Sequence, residues 1–188
     1  DIHQQKLEFL GLDSNWRLAC YSNCTTDITL EIDQYNHLIL ADESEFEFTP
    51  KSGYGVAVDL GTTTLVAQLI DLSTAKVMAV ETMLNPQAKF GADLISRIQA
   101  CIDGNEVEMS RLIRNSIGTM TELLLSKHKA PLQSMVIVGN TVMHHIFCGY
   151  DLFSLSQYPF STPHLSAKIF TPKVLDWHVQ VNGDITFF

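Results

Sequence analysis

The fold of this 188-residue chain is decided by Val56-Ala57-Val58-Asp59-Leu60-Gly61-Thr62-Thr63-Thr64-Leu65. An apolar run ends in a carboxylate and a Gly/Thr turn, and a second apolar run continues to Leu72. This pattern predicts two buried strands joined by a tight hairpin. The glycine lets the backbone approach a ligand closely, and the N–H groups and hydroxyls after it can donate to phosphate oxygens. The alternative interpretation is an ordinary hairpin with a polar turn.

The charge of the chain limits its partners. It has 12 Lys and Arg residues against 21 Asp and Glu residues, a formal net charge of −9 and a pI of about 5.1. Because no basic run is present, nucleic acid and anionic membrane surfaces are excluded as expected partners. A polyphosphate ligand must bring its own cations. Asp59, at the end of the first strand, can hold Mg²⁺ through water and so supply that positive charge.

The composition predicts a globular protein of the cytoplasm, with 46% hydrophobic and 18% charged residues. No apolar run approaches the roughly 20 residues of a membrane span, and the N-terminus lacks the basic start of a signal peptide. The cysteines are few and widely spaced, so no disulfide framework is expected and the thiols should be reduced. They are Cys20, Cys24, Cys101 and Cys148.

Downstream of the hairpin the apolar spacing predicts strands at residues 77–83 and 134–138 and helices at residues 93–100, 106–127 and 142–147. In the first helix Arg97 is expected opposite an apolar face, and Asp103-Gly104-Asn105 should end that helix. The apolar residues of the long helix are expected to form one buried face. These residues are Leu112, Ile113, Ile117, Met120, Leu123 and Leu124.

A second strand–turn–helix unit contains Gly139-Asn140-Thr141, an arrangement that presents backbone N–H groups to an anion. Residues 150–173 show little periodicity and are expected to be irregular. Asn182-Gly183, between alternating apolar residues, predicts a terminal hairpin. The elements together predict an α/β architecture, a mixed sheet with helices on its faces and the Asp59 hairpin at one end.

Residues 53–188 resemble the actin, Hsp70 and sugar-kinase superfamily, and within it the reductive activators of corrinoid proteins. The resemblance depends on three blocks besides the general order of elements. They are Gly55-Val56-Ala57-Val58-Asp59-Leu60-Gly61-Thr62-Thr63-Thr64, then Asn85-Pro86-Gln87 with Gly91-Ala92-Asp93-Leu94-Ile95-Ser96-Arg97-Ile98, and Val138-Gly139-Asn140-Thr141-Val142-Met143-His144-His145. Upstream, Trp16-Arg17-Leu18-Ala19-Cys20 is similar to the end of a plant-type [2Fe–2S] ferredoxin domain.

The resemblance implies a ribonuclease H-like ATPase fold preceded by a β-grasp ferredoxin domain. Members pass an electron from a bound iron–sulfur cluster to the cob(II)alamin of a partner corrinoid protein in a methyltransferase system, and ATP drives this step. By this analogy Asp59 organises Mg²⁺ and is the catalytic residue. Phosphates would be bound by residues of both turns, and Cys20 would be the fourth cluster ligand. The phosphate-binding residues are Gly61, Thr62, Thr63, Thr64, Gly139 and Asn140.

The chain also departs from the family pattern. A [2Fe–2S] centre needs four thiolates, and the ligands that should precede Cys20 are not in this sequence, where Cys24 has the wrong spacing to replace them. A second phosphate loop and an adenosine site are missing as well. We therefore expect an internal piece of a longer protein. Residues 1–33 would be a ferredoxin remnant, residues 34–52 a linker, and residues 53–188 the first half of the ATPase domain.

Two other functions fit parts of the pattern. One is a sugar or carboxylate kinase of the same superfamily, although such a kinase has no use for the block that ends at Cys20. The other is a non-enzymatic actin-like scaffold whose assembly is regulated by nucleotide. A homodimer of the activator is a further possibility.

Several residues have a structural as well as a functional interpretation. For the adjacent His144 and His145, one packed ring and one ring lining the cleft is favoured over a metal site, because adjacent positions diverge on a helix. Asp93 and Arg97 fit a surface ion pair. Cys101 and Cys148 are expected to be buried and unreactive. Trp16 and Trp177 are expected to be packing residues, and residues 42–47 a solvated acidic edge.

Overall fold

The computed structural model describes residues 48–188, which form a mixed six-stranded sheet with helices packed on it. The predictions for residues 1–47, among them the ferredoxin remnant, Trp16, Cys20 and the acidic edge, lie outside the described residues. The sheet has the order β3-β2-β1-β4-β6-β5. Its strands are β1 (Tyr54–Leu60), β2 (Thr64–Asp71), β3 (Lys76–Leu84), β4 (Leu132–Gly139), β5 (Lys168–Phe170) and β6 (Ile185–Phe187).

The strand directions give the sheet its class. Strands β1, β2 and β3 are antiparallel neighbours, whereas β4 lies parallel to β1 and β6 lies parallel to β4. Strand β5 pairs with β6 in the antiparallel direction at the edge. The connection from β3 to β4 is helical. This is the predicted α/β architecture, a mixed sheet with flanking helices.

Helices lie in the connections from β3 to β4 and from β4 to β5. They are a 3-10 helix (Pro86–Phe90), α1 (Leu94–Ala100), a π-helical turn (Cys101–Asn105), α2 (Glu106–Leu125), α3 (Thr141–Cys148) and α4 (Phe153–Ser156). Gly104 has a φ of 95° and separates α1 from α2, as the sequence predicted. None of the helices within residues 48–188 is long and apolar enough to cross a membrane.

The core lies between one face of the sheet and the helices. Alternate residues of β1 and β2 are buried, because successive strand residues point to opposite faces. They pack with α2, α3 and β6 into one hydrophobic cluster. On the opposite face Asp59, Val136 and Val138 are exposed. The Asp59 carboxylate therefore lies on the face turned away from this core.

The prediction for α1 was wrong about its faces. Arg97 is fully buried, whereas Ile95 is 80% exposed. The Arg97 Nε donates to the Gly91 carbonyl oxygen at 2.9 Å, and a buried cation with hydrogen-bond acceptors can be accommodated inside a protein. The predicted surface pair also changes, because Asp93 caps α1 by accepting from the Ser96 N–H.

In α2 the predicted apolar face is confirmed at Ile113, Ile117, Met120 and Leu124, but Leu123 is 53% exposed. The buried face continues instead through polar and small residues that apolar spacing does not find. Gly118 is buried with the Trp177 ring against it, so that a Cβ at this position would lie 2.9 Å from the indole. The packing role of Trp177 is confirmed.

The predicted terminal hairpin at Asn182-Gly183 is wrong. Val181 forms a parallel bridge with Leu132, and Ile185 pairs with Met135, again in the parallel direction. The chain therefore passes along β4 in one direction and only kinks at Asn182-Gly183. Residues 150–173 are also more ordered than predicted, since they contain α4 and β5.

Candidate functional site

The turn between β1 and β2 is closed by a short contact that requires glycine. Leu60 pairs with Leu65, so the loop consists of residues 61–64. A Cβ added at Gly61 would lie 2.4 Å from the Thr64 carbonyl oxygen, a distance that real Cβ atoms do not show. The sequence predicted a glycine that allows close approach of the backbone. In the structure, the close approach is made by the loop's own carbonyl.

Two carbonyl groups of the loop point into the protein. The Asn85 side-chain Nδ2 donates to the Gly61 oxygen at 2.9 Å, and the Asn85 backbone N–H donates to the Thr63 oxygen at 2.7 Å. In a trans peptide the carbonyl oxygen and the following N–H point in opposite directions, so the Thr62 N–H points away from Asn85. Among the hydrogen bonds between residues 48–188, none uses the backbone N–H of Gly61, Thr62 or Thr63. These N–H groups are available to an anion.

The Asp59 carboxylate lies next to this loop at the exposed end of β1. Its neighbours in the sheet are Val66 on β2 and Val138 on β4. Within the described part of the chain no hydrogen bond or ion pair engages the carboxylate. An exposed carboxylate beside free N–H donors fits a hydrated Mg²⁺ with a bound phosphate chain.

The second predicted turn meets the first. Because β1 and β4 are parallel, their carboxyl ends lie side by side, with Leu60 opposite Gly139. Asn140 caps α3 by accepting from the Met143 N–H, and its Nδ2 donates to the Thr62 Oγ1 at 3.1 Å. A Cβ at Gly139 would lie 3.0 Å from the Leu60 oxygen. All the predicted phosphate-binding residues therefore lie in the two turns at the carboxyl ends of β1 and β4.

The residues behind the loop had no predicted role. Asn85 is 1% exposed, and its Nδ2 also contacts the Met143 sulfur at 3.7 Å. Arg97 donates through Nη1 to the same sulfur at 3.6 Å and to the Gln87 Oε1 at 3.4 Å. An Asn-Pro pair after a strand signals a turn, and that signal pointed to the position but not to these contacts.

His144 and His145 are both buried, so the expectation that one of them lines the cleft was wrong. The His145 Nδ1 lies 2.8 Å from the Thr141 carbonyl oxygen, which makes it the protonated nitrogen, and Nε2 accepts from the Thr162 hydroxyl at 2.6 Å. The His144 ring packs against Phe187, and its Nε2 has no hydrogen-bond partner. The described residues contain no cluster of three or more side chains suited to a metal ion.

Acid is expected to destabilise the protein through these two rings. Burial lowers the pKa of His144, and the nearby charges of His145, Lys168 and His164 lower it further. Burial also lowers the pKa of His145, against an opposing effect of its bond to the Thr141 carbonyl. Since the unfolded chain binds protons near pH 6.5 and the folded chain does not, the free energy of unfolding should fall below that pH. The fall is up to about 1.4 kcal/mol per pH unit for each ring.

Urea unfolding between pH 5 and pH 8 measures this dependence. His144→Phe, which replaces the ring by a non-ionisable one, should reduce the slope, whereas His178→Phe, at an exposed position, should leave it unchanged. Equal slopes for wild type and His144→Phe would contradict the assignment.

The described cysteines do not fit an iron–sulfur cluster. Cys101 and Cys148 are buried, and burial raises the pKa of each thiol to about 11. Cluster ligands are thiolates, and four are needed. The prediction that these cysteines are buried is confirmed. Residues 48–188 thus offer no set of ligands for the cluster.

Comparison with known proteins identifies residues 54–188 as a match to the RACo middle region. Over 135 residues the chain is 30% identical to the corrinoid activation enzyme RamQ of Eubacterium limosum, a match that covers 66% of this chain and 23% of that enzyme. A solved structure, the reductive activator for corrinoid iron–sulfur protein, superposes with a TM-score of 0.67 at 26% identity. That match covers 75% of this chain and 23% of the activator.

The chain therefore spans about a quarter of the length of these relatives. The family match covers more than half of the chain and begins at the first residue of β1. It agrees with the resemblance carried by the three sequence blocks. The chain belongs to the RACo family of reductive activators of corrinoid proteins, with residues 54–188 corresponding to the family's middle region.

Proposed function

We propose that the full-length protein is an ATP-dependent reductive activator that transfers an electron from a [2Fe–2S] cluster to the cob(II)alamin of a corrinoid protein in a methyltransferase system. Relatives named for corrinoid activation support this proposal. The unpaired thiols of Cys101 and Cys148 fit a reducing compartment such as the cytoplasm.

Within that protein, residues 48–188 contribute the first two phosphate-binding turns, at the carboxyl ends of β1 and β4. The observation that carries this assignment is the contact between the two turns, in which the Asn140 Nδ2 donates to the Thr62 Oγ1. The free N–H groups of residues 61–63 would donate to phosphate oxygens, as hydroxyl groups of the loop would. The Asp59 carboxylate would accept hydrogen bonds from water on Mg²⁺, which offsets the negative charge of both protein and nucleotide.

The cluster belongs to another part of the protein in this proposal. Cys20 would be its fourth ligand, and three further cysteines would come from the longer chain. When bound, Mg-ATP and the cluster would supply the driving free energy and the electron, respectively. The middle region would then hold the phosphates in a fixed orientation and so couple the binding or hydrolysis of ATP to the rest of the activator.

The test measures the reduction of cob(II)alamin by the full-length protein in a mixture that also contains the corrinoid protein and a chemical reductant. Electron paramagnetic resonance monitors the cob(II)alamin signal. The cob(II)alamin signal should decrease only when Mg-ATP is added. Cys20→Ser should abolish the decrease, and Cys24→Ser, four residues away and not an expected ligand, should preserve it. Reduction that proceeds equally well without ATP would contradict the proposal.

A further inference from the structure

Asn85 is buried directly behind the loop of residues 61–64, and all of its polar groups are engaged. It follows the last residue of β3, and its Oδ1 accepts from the Gln87 N–H at 2.9 Å, which caps the 3-10 helix. Its backbone carbonyl accepts from the Ala88 N–H at 3.0 Å. Its two N–H donors toward the loop, the backbone N–H and Nδ2, bind the Thr63 and Gly61 oxygens.

We propose that Asn85 is a positioning residue that holds the phosphate loop in the conformation in which its N–H groups face the ligand. This inference rests on the proposed function, in which the loop binds Mg-ATP. Holding the Gly61 and Thr63 carbonyls inward turns the N–H groups of Thr62 and Thr64, which follow them in the chain, away from Asn85. Without these bonds the carbonyl oxygens could rotate toward the phosphates and repel them.

Asn85 is itself fixed by residues from three helices. Its Nδ2 contacts the Met143 sulfur of α3, which also contacts the Arg97 Nη1 of α1. Gln87 joins the same network, because its Oε1 accepts from Arg97 and its Nε2 donates to the Met109 oxygen of α2 at 3.1 Å. A satisfied buried network of this kind is rigid. The packed interior therefore holds the loop in position, in addition to the close approach that Gly61 allows within the loop.

An amide is needed at position 85 because one side chain must both donate and accept. Asn85→Asp keeps the Oδ1 that caps the 3-10 helix and replaces the donor to Gly61 by an oxygen that faces another oxygen. The variant therefore tests the contact with the loop while it keeps the cap. The matched control is Asp93→Asn, an acid–amide exchange at the cap of α1, where the side chain accepts from the Ser96 N–H.

The experiment uses the full-length protein. Calorimetric titration with Mg-ATP at pH 8 should give about tenfold weaker binding for Asn85→Asp than for wild type or Asp93→Asn, since one hydrogen bond is replaced by a repulsion. Amide hydrogen exchange without nucleotide should be faster at residues 61–64 in Asn85→Asp alone. A purely structural role would instead make exchange in Asn85→Asp faster throughout the domain.

The outcomes separate the two proposals. If wild type binds Mg-ATP and Asn85→Asp binds it equally well, the positioning role is overturned and the proposed function stands. If wild type does not bind Mg-ATP, the proposed function is overturned. In that case faster exchange confined to residues 61–64 of Asn85→Asp still supports the positioning of the loop, and unchanged exchange overturns it.

Discussion

Asp59→Asn is expected to lower the ATP-dependent rate of cob(II)alamin reduction by the full-length protein roughly 100-fold. The substitution keeps the shape of the side chain but removes the charge that would hold water on Mg²⁺. A cation that organises a phosphate chain is worth several kcal/mol to the reaction, and each 1.36 kcal/mol is about tenfold in rate. The measurement is the initial rate of cob(II)alamin loss at saturating Mg-ATP.

Stability should not change with this substitution, because Asp59 is exposed and its carboxylate has no partner among residues 48–188. The matched control is Asp71→Asn at the opposite end of the same pair of strands, where Asp71 pairs with Tyr54. That variant should retain the wild-type rate. Equal losses for the two variants, or an unchanged rate for Asp59→Asn, would show that the carboxylate does not serve the nucleotide.

Gly61→Ala is expected to abolish measurable binding of Mg-ATP and to lower the free energy of unfolding by about 1–3 kcal/mol. The new Cβ would lie 2.4 Å from the Thr64 carbonyl oxygen, so the loop must open. Opening it breaks the alignment of the N–H groups of residues 61–63. Thermal unfolding and calorimetric titration of the same preparation measure the two effects.

Gly104→Ala separates lost binding from lost stability. Gly104 has a φ of 95° with no neighbouring atom within 4 Å of its added Cβ, so alanine there costs backbone strain of about 1–2 kcal/mol without a collision. This variant should be destabilised and yet bind Mg-ATP like wild type. Retained affinity in Gly61→Ala would contradict the assigned geometry of the loop.

The sequence predicted the parts of the structure that are encoded locally. The Asp59 hairpin follows from two apolar runs around a Gly/Thr turn, and the second turn, with Asn140 at the start of α3, follows from the apolar runs on either side of Gly139-Asn140-Thr141. Both signals lie within a few residues of the feature that they predict. The family resemblance then placed the two turns at one site.

The predictions were wrong where contacts with residues distant in the sequence determine the local structure. Polarity alone puts Arg97 on the surface, but the Gly91 carbonyl and the Gln87 amide accept its hydrogen bonds inside the protein. Asn182-Gly183 is a strong hairpin signal, yet both of its flanks pair with β4 and not with each other. The role inferred for Asn85 likewise depends on a loop 24 positions away in the sequence.

In the proposed function the loop of residues 61–63, with Asp59 and Asn140, holds the phosphates of ATP. The most direct test is a crystal structure of the full-length protein with Mg²⁺ and a non-hydrolysable ATP analogue. We expect phosphate oxygens within hydrogen-bond distance of the loop N–H groups and a hydrated Mg²⁺ beside the Asp59 carboxylate. A nucleotide bound elsewhere, with no contact to residues 59–63, would contradict this assignment of the phosphate site.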